Sequence, residues 1–198
     1  AQLNDGVDVA LTGVTIRGDL DFTRLNDREE TQKKGLGNQQ QWKYHVRNSL
    51  SFVDCTFEGD VWGFRIEGDN RWVKTGPAHM ADFHKDVLFK GCKFEEDVNF
   101  KYSHFNEKAD FPNAVFEEYA GFKYTKFEES ADFSNMQVDG DANFKYTTFD
   151  ERVNMASAVF KDYADVKYTK LTRGADFSSV IFEDDGVFKS AEFSCGVN

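Results

Sequence analysis

From Phe83 to Phe193 an apolar residue returns in alternating steps of six and five, at positions 83, 89, 94, 100, 105, 111 and so on to 188 and 193. Seventeen of these 21 positions are Phe, and the others are Val138, Met155, Val166 and Leu171. An α-helix, turning about 100° per residue, would scatter such positions around its surface and leave most of them in water. One continuous strand fails too, because a step of five reverses the face on which the side chain lies. Short extended faces joined by corners satisfy both steps, each face sending one central side chain inward. Small residues two places before many central positions (Ala109, Ala120, Ala131, Ala142, Ala164 and Ala175) point the same way and fill space beside the rings.

The text of the repeat is twice as long as its rhythm. Lys101-Tyr102-Ser103-His104-Phe105 returns as Lys123-Tyr124-Thr125-Lys126-Phe127, then as Lys145-Tyr146-Thr147-Thr148-Phe149. Lys167-Tyr168-Thr169-Lys170-Leu171 and Lys189-Ser190-Ala191-Glu192-Phe193 continue the series, each 22 residues after the last. The alternate register reads Ala109-Asp110-Phe111, Ala131-Asp132-Phe133, Val153-Asn154-Met155 and Ala175-Asp176-Phe177. The chain is therefore expected to be all-β, a solenoid of four-faced coils with about 22 residues each. Such coils stack about 4.8 Å apart, so five of them make a rod of roughly 24 Å.

This pattern resembles the pentapeptide-repeat superfamily, whose unit is Ala-(Asp/Asn)-(Leu/Phe)-X-X. Ala109-Asp110-Phe111-Pro112-Asn113, Ala131-Asp132-Phe133-Ser134-Asn135 and Ala175-Asp176-Phe177-Ser178-Ser179 match that unit in full. The alternation of five and six departs from a strict five-residue repeat and is similar to the Phe-rich, 11-residue variant. The resemblance covers residues 78–195 strongly and the rest weakly, and it implies a right-handed quadrilateral β-helix. It also implies a second function to weigh, since some members are acidic DNA mimics that bind DNA gyrase or topoisomerase.

Before Phe83 the rhythm is broken. Leu11, Ile16 and Phe22 keep the steps, as do Val46, Phe52 and Phe57, and they read as degenerate first coils. One solenoid domain over residues 1–198 is expected, with degenerate coils and a cap over 1–82 and regular coils over 83–195. Thr23–His45 reads as an inserted loop containing a short helix over Asp27–Lys34, and Arg65–Ala81 as a second inserted loop. Insertions leave a solenoid on one face and often carry its binding function. Residues 1–22 are expected to cap one end. Cys195-Gly196-Val197-Asn198 offers no obvious cap, so the expectation is either end-to-end self-association through the last coil or a sequence that is a fragment of a longer chain.

Charge and composition narrow the function. The 198 residues include 21 Phe and only two Pro, and no apolar run is long enough to cross a membrane as a helix. The net charge is −11, and residues 81–198 hold 23 acids against 14 Lys and Arg. Such a surface argues against direct binding to nucleic acid or to an anionic membrane. Cys55, Cys92 and Cys195 show neither CxxC nor metal-finger spacing, and they leave a disulfide undetermined. The opening Ala1-Gln2, without Met, suits a mature chain exported to the periplasm or cell surface, with a trimmed cytoplasmic chain as the alternative.

Two columns stand out as candidate binding residues: Lys101, Lys123, Lys145, Lys167 and Lys189, and beside them Tyr102, Tyr124, Tyr146 and Tyr168. Stacked ammonium groups repel by about 1 kcal/mol per neighbouring pair in water. A cationic stripe beside aromatics can grip an acidic partner or a glycan; duplication of the unit, with Lys stems covering apolar surface, explains the same column. Acidic columns mark two corners, at Glu95-Glu96 and Glu117-Glu118 and at Glu128-Glu129 and Asp150-Glu151. Asp139-Gly140-Asp141 and Asp184-Asp185-Gly186 are fragments of calcium loops, without a complete motif. The four His (His45, His79, His84, His104) show no zinc-ligand spacing and no pairing with a nucleophile, so no metal, cofactor or catalytic site is expected. The expected function is that of a non-catalytic scaffold or interaction module, binding a protein or glycan in a bacterial envelope or surface assembly.

Overall fold

The computed structural model describes residues 2–32, 36, 39–68 and 76–194. It consists almost entirely of short parallel strands stacked in ladders, as in a β-solenoid. Each short strand carries an outward residue followed by an inward one, as in Lys126–Phe127, where Lys126 is half-buried and Phe127 fully buried. One ladder climbs through Thr15–Ile16, Thr56–Phe57, Lys93–Phe94, Val115–Phe116, Gln137–Val138, Val159–Phe160 and Ile181–Phe182. A second runs from Leu20–Asp21 to Gly186–Val187, and a third from Gln41–Val46 to Glu192–Phe193. The fourth direction is shared by two stacks, Val9–Thr12 to Ala109–Asp110 and Ala131–Asp132 to Ala175–Asp176. Between those two stacks the Asp110 carboxylate accepts the Asp132 N–H at 3.0 Å.

From Lys93 onward every partner lies 22 residues further along: Lys93 pairs with Val115, Val115 with Gln137 and Gln137 with Val159. Near the N-terminus the offset widens, because Thr15 pairs with Thr56 and Thr56 with Lys93. The two insertions supply the additional residues without breaking the ladders.

Rings fill the interior. Phe83, Phe105, Phe127 and Phe149 form one stack with centroid spacings of 4.6, 5.0 and 4.8 Å, while neighbouring stacks meet edge to face, as Phe127 and Phe133 do at 85°. Each buried ring contributes about 1.5–3 kcal/mol by leaving water, and each ring pair adds about 0.5–1.5 kcal/mol. Ala109, Ala120, Ala131, Ala142, Ala164 and Ala175 are buried beside them, as the spacing predicts. The continuous core runs from Val9 to Ala175, with Leu3, Leu11, Ile16 and Leu20 packed against it at the N-terminal end.

Two kinds of corner close each coil. In both, a backbone N–H bonds to the carbonyl three residues back, as Met136 does to Phe133 and Thr125 to Phe122. The third residue of each turn has the positive φ that a type II turn requires. At one corner that residue is Asn113, Asn135, Ser157 or Ser179; at the other it is Tyr102, Tyr124, Tyr146, Tyr168 or Ser190, with φ of 59–60°. The Asp or Asn before the turn braces it, since Asn143 Oδ1 accepts the Lys145 N–H and Asp165 Oδ1 the Lys167 N–H. This local bond explains the Asp/Asn in the repeat unit.

The insertions differ from the loops expected. Arg28–Thr31 is a strand rather than part of a helix, antiparallel to Gln41–Val46 with Arg28 opposite Tyr44 and Thr31 opposite Gln41. The cross-strand Arg28 guanidinium lies 4.4 Å from the Trp42 ring centroid, a contact that a helix would forgo. Lys33 and Lys34, also in the expected helix, lie outside the described residues. The chain rejoins the solenoid at Gln41 rather than after His45, because the whole of Gln41–Val46 pairs in parallel with Ala78–Phe83. Of the second insertion, Phe64–Ile66 pairs antiparallel with Ala78–Met80, and residues 69–75 lie outside the described residues. The two long strands overshoot the corner and, with their hairpin partners, build a side lobe. A small second core of Leu36, Phe64, Ala78, Met80 and Tyr102 seals that lobe to the solenoid. Cys195–Asn198, through which self-association is expected, lie outside the described residues.

A tyrosine–lysine strip beside a cationic cleft

The predicted columns come together as one strip. Tyr102, Tyr124, Tyr146 and Tyr168 stack with centroid spacings of 4.8, 4.8 and 4.6 Å and planes within 6° of parallel. The lysines do not simply reach into water, for their ammonium groups lie over the rings. Lys123 Nζ is 5.3 Å from the Tyr124 centroid, Lys145 is 5.5 Å from Tyr146 and 5.9 Å from Tyr168, and Lys101 is 5.2 Å from Tyr102. Each such contact is worth about 0.5–1 kcal/mol where it is exposed. Lys167 turns instead to Tyr163 Oη at 3.0 Å and the Asp165 carboxylate at 3.1 Å; that hydroxyl, then the carboxylate, holds its proton more tightly than usual. Lys189 is exposed in the last described coil.

Exposure rises along the strip from Tyr102 to Tyr146 and falls again at Tyr168. Tyr102 is 4% exposed beneath the side lobe, and burial pushes its phenol up to about 12. Tyr146 is 38% exposed. Because most ring faces are taken by neighbouring rings, the outer face of Tyr168 above Ser190 excepted, the strip presents mainly ring edges, hydroxyls and ammonium groups. Beneath it runs a row that sequence reasoning missed: Thr125, Thr147 and Thr169 are buried and donate to the carbonyls of Phe100, Phe122 and Phe144 at 2.6–2.7 Å. Their recurrence two places after each Lys was a visible signal for that role.

The side lobe opens two clefts that share Arg24 and Arg65, and the first of them meets the N-terminal end of the strip at Phe64. Asp21, Arg24, Trp62, Phe64, Arg65, Ile66 and Asn99 line one of about 380 Å³. Lys101 Nζ lies 4.9 Å from the Phe64 ring at its edge. The other, of about 450 Å³, holds Arg24, Arg28 and Arg65 together with Tyr44, Glu67 and His79. Arg65 donates to Thr23 Oγ1 and pairs with Asp21, as does Arg24. Arg28 donates to Tyr44 Oη, which bonds His79 Nδ1 at 2.9 Å. Burial first, then the Arg65 charge, lowers the His79 pKa. These residues are scattered over the insertions, and the sequence marked only the segments that carry them.

Residues 81–125 and 122–170 match the family model described as Pentapeptide repeats (9 copies). The repeats over residues 81–170 belong to the pentapeptide-repeat superfamily. Neither curated proteins nor solved structures give a significant match to the chain. Pentapeptide-repeat proteins are generally non-enzymatic repeat scaffolds, and this chain fits that class.

The corner acids of this pentapeptide-repeat solenoid are laced to lysines. Lys93 Nζ bridges Glu95 and Glu117 at 3.0 and 3.1 Å, Lys126 bridges Glu128 and Asp150 at 2.8 and 3.0 Å, and Lys161 reaches Asp139 at 2.9 Å. Among the described residues no helix is long and apolar enough to cross a membrane. Three of the four His gather on the outer surface of the ladder at Asp82, whose strand neighbours in register are His45 and His104.

Proposed function

We propose that this chain is a non-catalytic interaction module, a right-handed quadrilateral β-helix of 22-residue coils whose tyrosine–lysine strip receives an acidic protein segment. The observation that carries this reading is the left-handed backbone at Tyr102, Tyr124, Tyr146 and Tyr168. A bulky residue in that conformation costs roughly 1–2 kcal/mol, whereas the opposite corner, and Ser190 at the last described level of this one, meet the same demand with Asn and Ser, which tolerate it better. Backbone strain that persists in one column points to a use for the side chains it displays. Partner chemistry follows from what the strip exposes. Hydroxyls and ammonium groups, continued by Arg24, Arg28 and Arg65 in the clefts, suit carboxylates. A neutral glycan, which stacks on ring faces, is less well served because most of those faces are occupied.

The module is proposed to act within a bacterial envelope or surface assembly. Cell fractionation tests that location: recovery with the periplasm or surface is expected, and recovery in the cytosol overturns it. A DNA mimic that binds gyrase or topoisomerase is the second reading, favoured by the excess of acids over residues 81–198. The pairing of corner acids with Lys93, Lys126 and Lys161 breaks up the row of charges that a phosphate mimic needs. Binding to an immobilised poly-Glu peptide would be measured for the wild type, Lys145→Glu and Tyr146→Gly. Both variants should keep stability within about 1 kcal/mol, because Lys145 is a surface side chain and, in Tyr146→Gly, loss of two stacked pairs is offset by relief of the backbone. Binding should weaken at least about tenfold in each. Unchanged affinity in both variants sinks the strip as the binding surface.

A further inference from the structure

His45 and His84 are 39 residues apart in the chain, yet His45 Nδ1 lies 2.8 Å from His84 Nε2. Strand register brings them together: Gln41–Val46 pairs with Ala78–Phe83, Asp82 stands opposite His45, and the His84 N–H bonds to the Val46 carbonyl. Ligand atoms of His45, Asp82 and His84 all lie within 4.8 Å of one another. Asp82 is only 5% exposed, and its Oδ1 is a buried acceptor with no hydrogen-bond partner. Asn106 Oδ1 is a second such acceptor, on an amide whose nitrogen sits 3.2 Å from His84 Nδ1. Buried acceptors left without donors cost about 1–3 kcal/mol each, and nothing in the repeat unit requires this cluster.

We propose that His45 Nδ1, His84 Nε2 and Asp82 Oδ1 bind a divalent transition-metal ion of the zinc class. Two imidazoles and one carboxylate suit a borderline-soft cation rather than calcium or magnesium. The ring nitrogens need to open only from 2.8 Å to roughly 3.3 Å to sit tetrahedrally around an ion at about 2.0–2.1 Å. The surrounding groups supply what metal-bound histidines ordinarily have. Rotating the Asn106 amide presents its Oδ1 to an N–H on His84 Nδ1, which leaves Nε2 free to ligate. The Glu29 carboxylate lies 3.7 Å from His45 Nε2, the nitrogen that carries the proton when Nδ1 ligates. Lys43 faces the other Asp82 oxygen, Oδ2, at 3.5 Å, so it does not occupy the ligating atom. His104 Nδ1 lies 3.6 Å from Asp82 Oδ1 as one additional donor; a water or a partner residue is the other way to complete the site. Bound there, the ion would tie the strand leaving the first insertion to the strand leaving the second.

The test is titration of chelator-treated protein, in a Cys195→Ser background, with Zn²⁺ by calorimetry and with Co²⁺ by visible absorption. One equivalent should bind, with the intense d–d bands of tetrahedral Co²⁺. His84→Ala should weaken binding by at least about 100-fold and Glu29→Gln by about 10–100-fold, as loss of a ligand and of its outer partner do. His79→Gln, outside the cluster, should bind like the background protein. Absence of saturable binding, or a His84→Ala variant that binds as well as the background protein, overturns the proposal. Should His84→Ala fail to fold, imidazole nitrogen NMR of the background protein decides: Zn²⁺ must shift His45 and His84 together, and shifts confined to His79 overturn the site.

Discussion

Replacing Phe127 with Ala probes the principle on which the whole core rests. Phe127 is fully buried, stacked between Phe105 at 5.0 Å and Phe149 at 4.8 Å, with the tilted ring of Phe122 at 6.2 Å and Phe133 edge-on at 5.8 Å. Truncation removes the transfer free energy of the ring and leaves a cavity, for about 3–5 kcal/mol in an ordinary core. The upper half of that range is expected here. Ladder hydrogen bonds on both sides, from Lys126 N to Ser103 O and from Glu128 N to Phe105 O, hold the backbone at its spacing and resist collapse of the hole. Four neighbouring rings lose a partner at the same time. Urea denaturation read by tyrosine and tryptophan fluorescence should show the loss as a midpoint lower by about 2 M, taking a slope near 2 kcal/mol/M. Phe193→Ala is the internal comparison. Its ring is 43% exposed at the end of the described ladder, and its loss should cost under about 1 kcal/mol. A loss below about 1 kcal/mol for Phe127→Ala, or equal losses for the two variants, would refute the stacked-core reasoning.

Other consequences follow from groups beside the core. Thr147→Val keeps shape but removes the bond to the Phe122 carbonyl, so urea melts should show a loss of about 1–2 kcal/mol; a stabilised variant contradicts the buried threonine row. Burial pushes the Cys92 thiol up to about 12, and Cys55 is buried beside it. In a Cys195→Ser background, iodoacetamide at pH 8 should label neither in the folded protein and both in urea, as mass spectrometry would show. His79 is kept neutral by burial and by Arg65, with Arg28 opposing its charge and Glu67 favouring it. Its lowered folded pKa leaves stability intact above about pH 6.5 and erodes it as pH falls toward the folded value. His79→Gln should therefore flatten the stability difference between pH 7.5 and 5.5, and an unchanged difference refutes the assignment.

Much of this protein is legible in its sequence. The alternation of five and six residues, the alanines two places ahead of many central positions and the Asp/Asn before most turns all act within one coil. The next coil meets the same surroundings 22 residues later, so a local pattern read once applies at every level from Lys93 upward. The same logic puts Lys and Tyr in neighbouring columns, and the folded chain has them there. It does not reveal that the lysines lie over the rings, or that the tyrosines stand in left-handed turns, because a motif names residues without their backbone angles. The first two coils are harder to read for a physical reason. Their partners are separated by 37 and 41 residues rather than 22, through insertions with no period of their own. Arg28–Thr31 takes its strand conformation from Gln41–Val46, not from its own propensity. The cationic cleft and the grouping of His45, Asp82 and His84 exist only because parallel pairing aligns Gln41–Val46 with Ala78–Phe83. The repeat determined the rod and its core through contacts that every coil renews, whereas the chemistry gathered at its N-terminal end was decided by a pairing register that only the folded chain establishes.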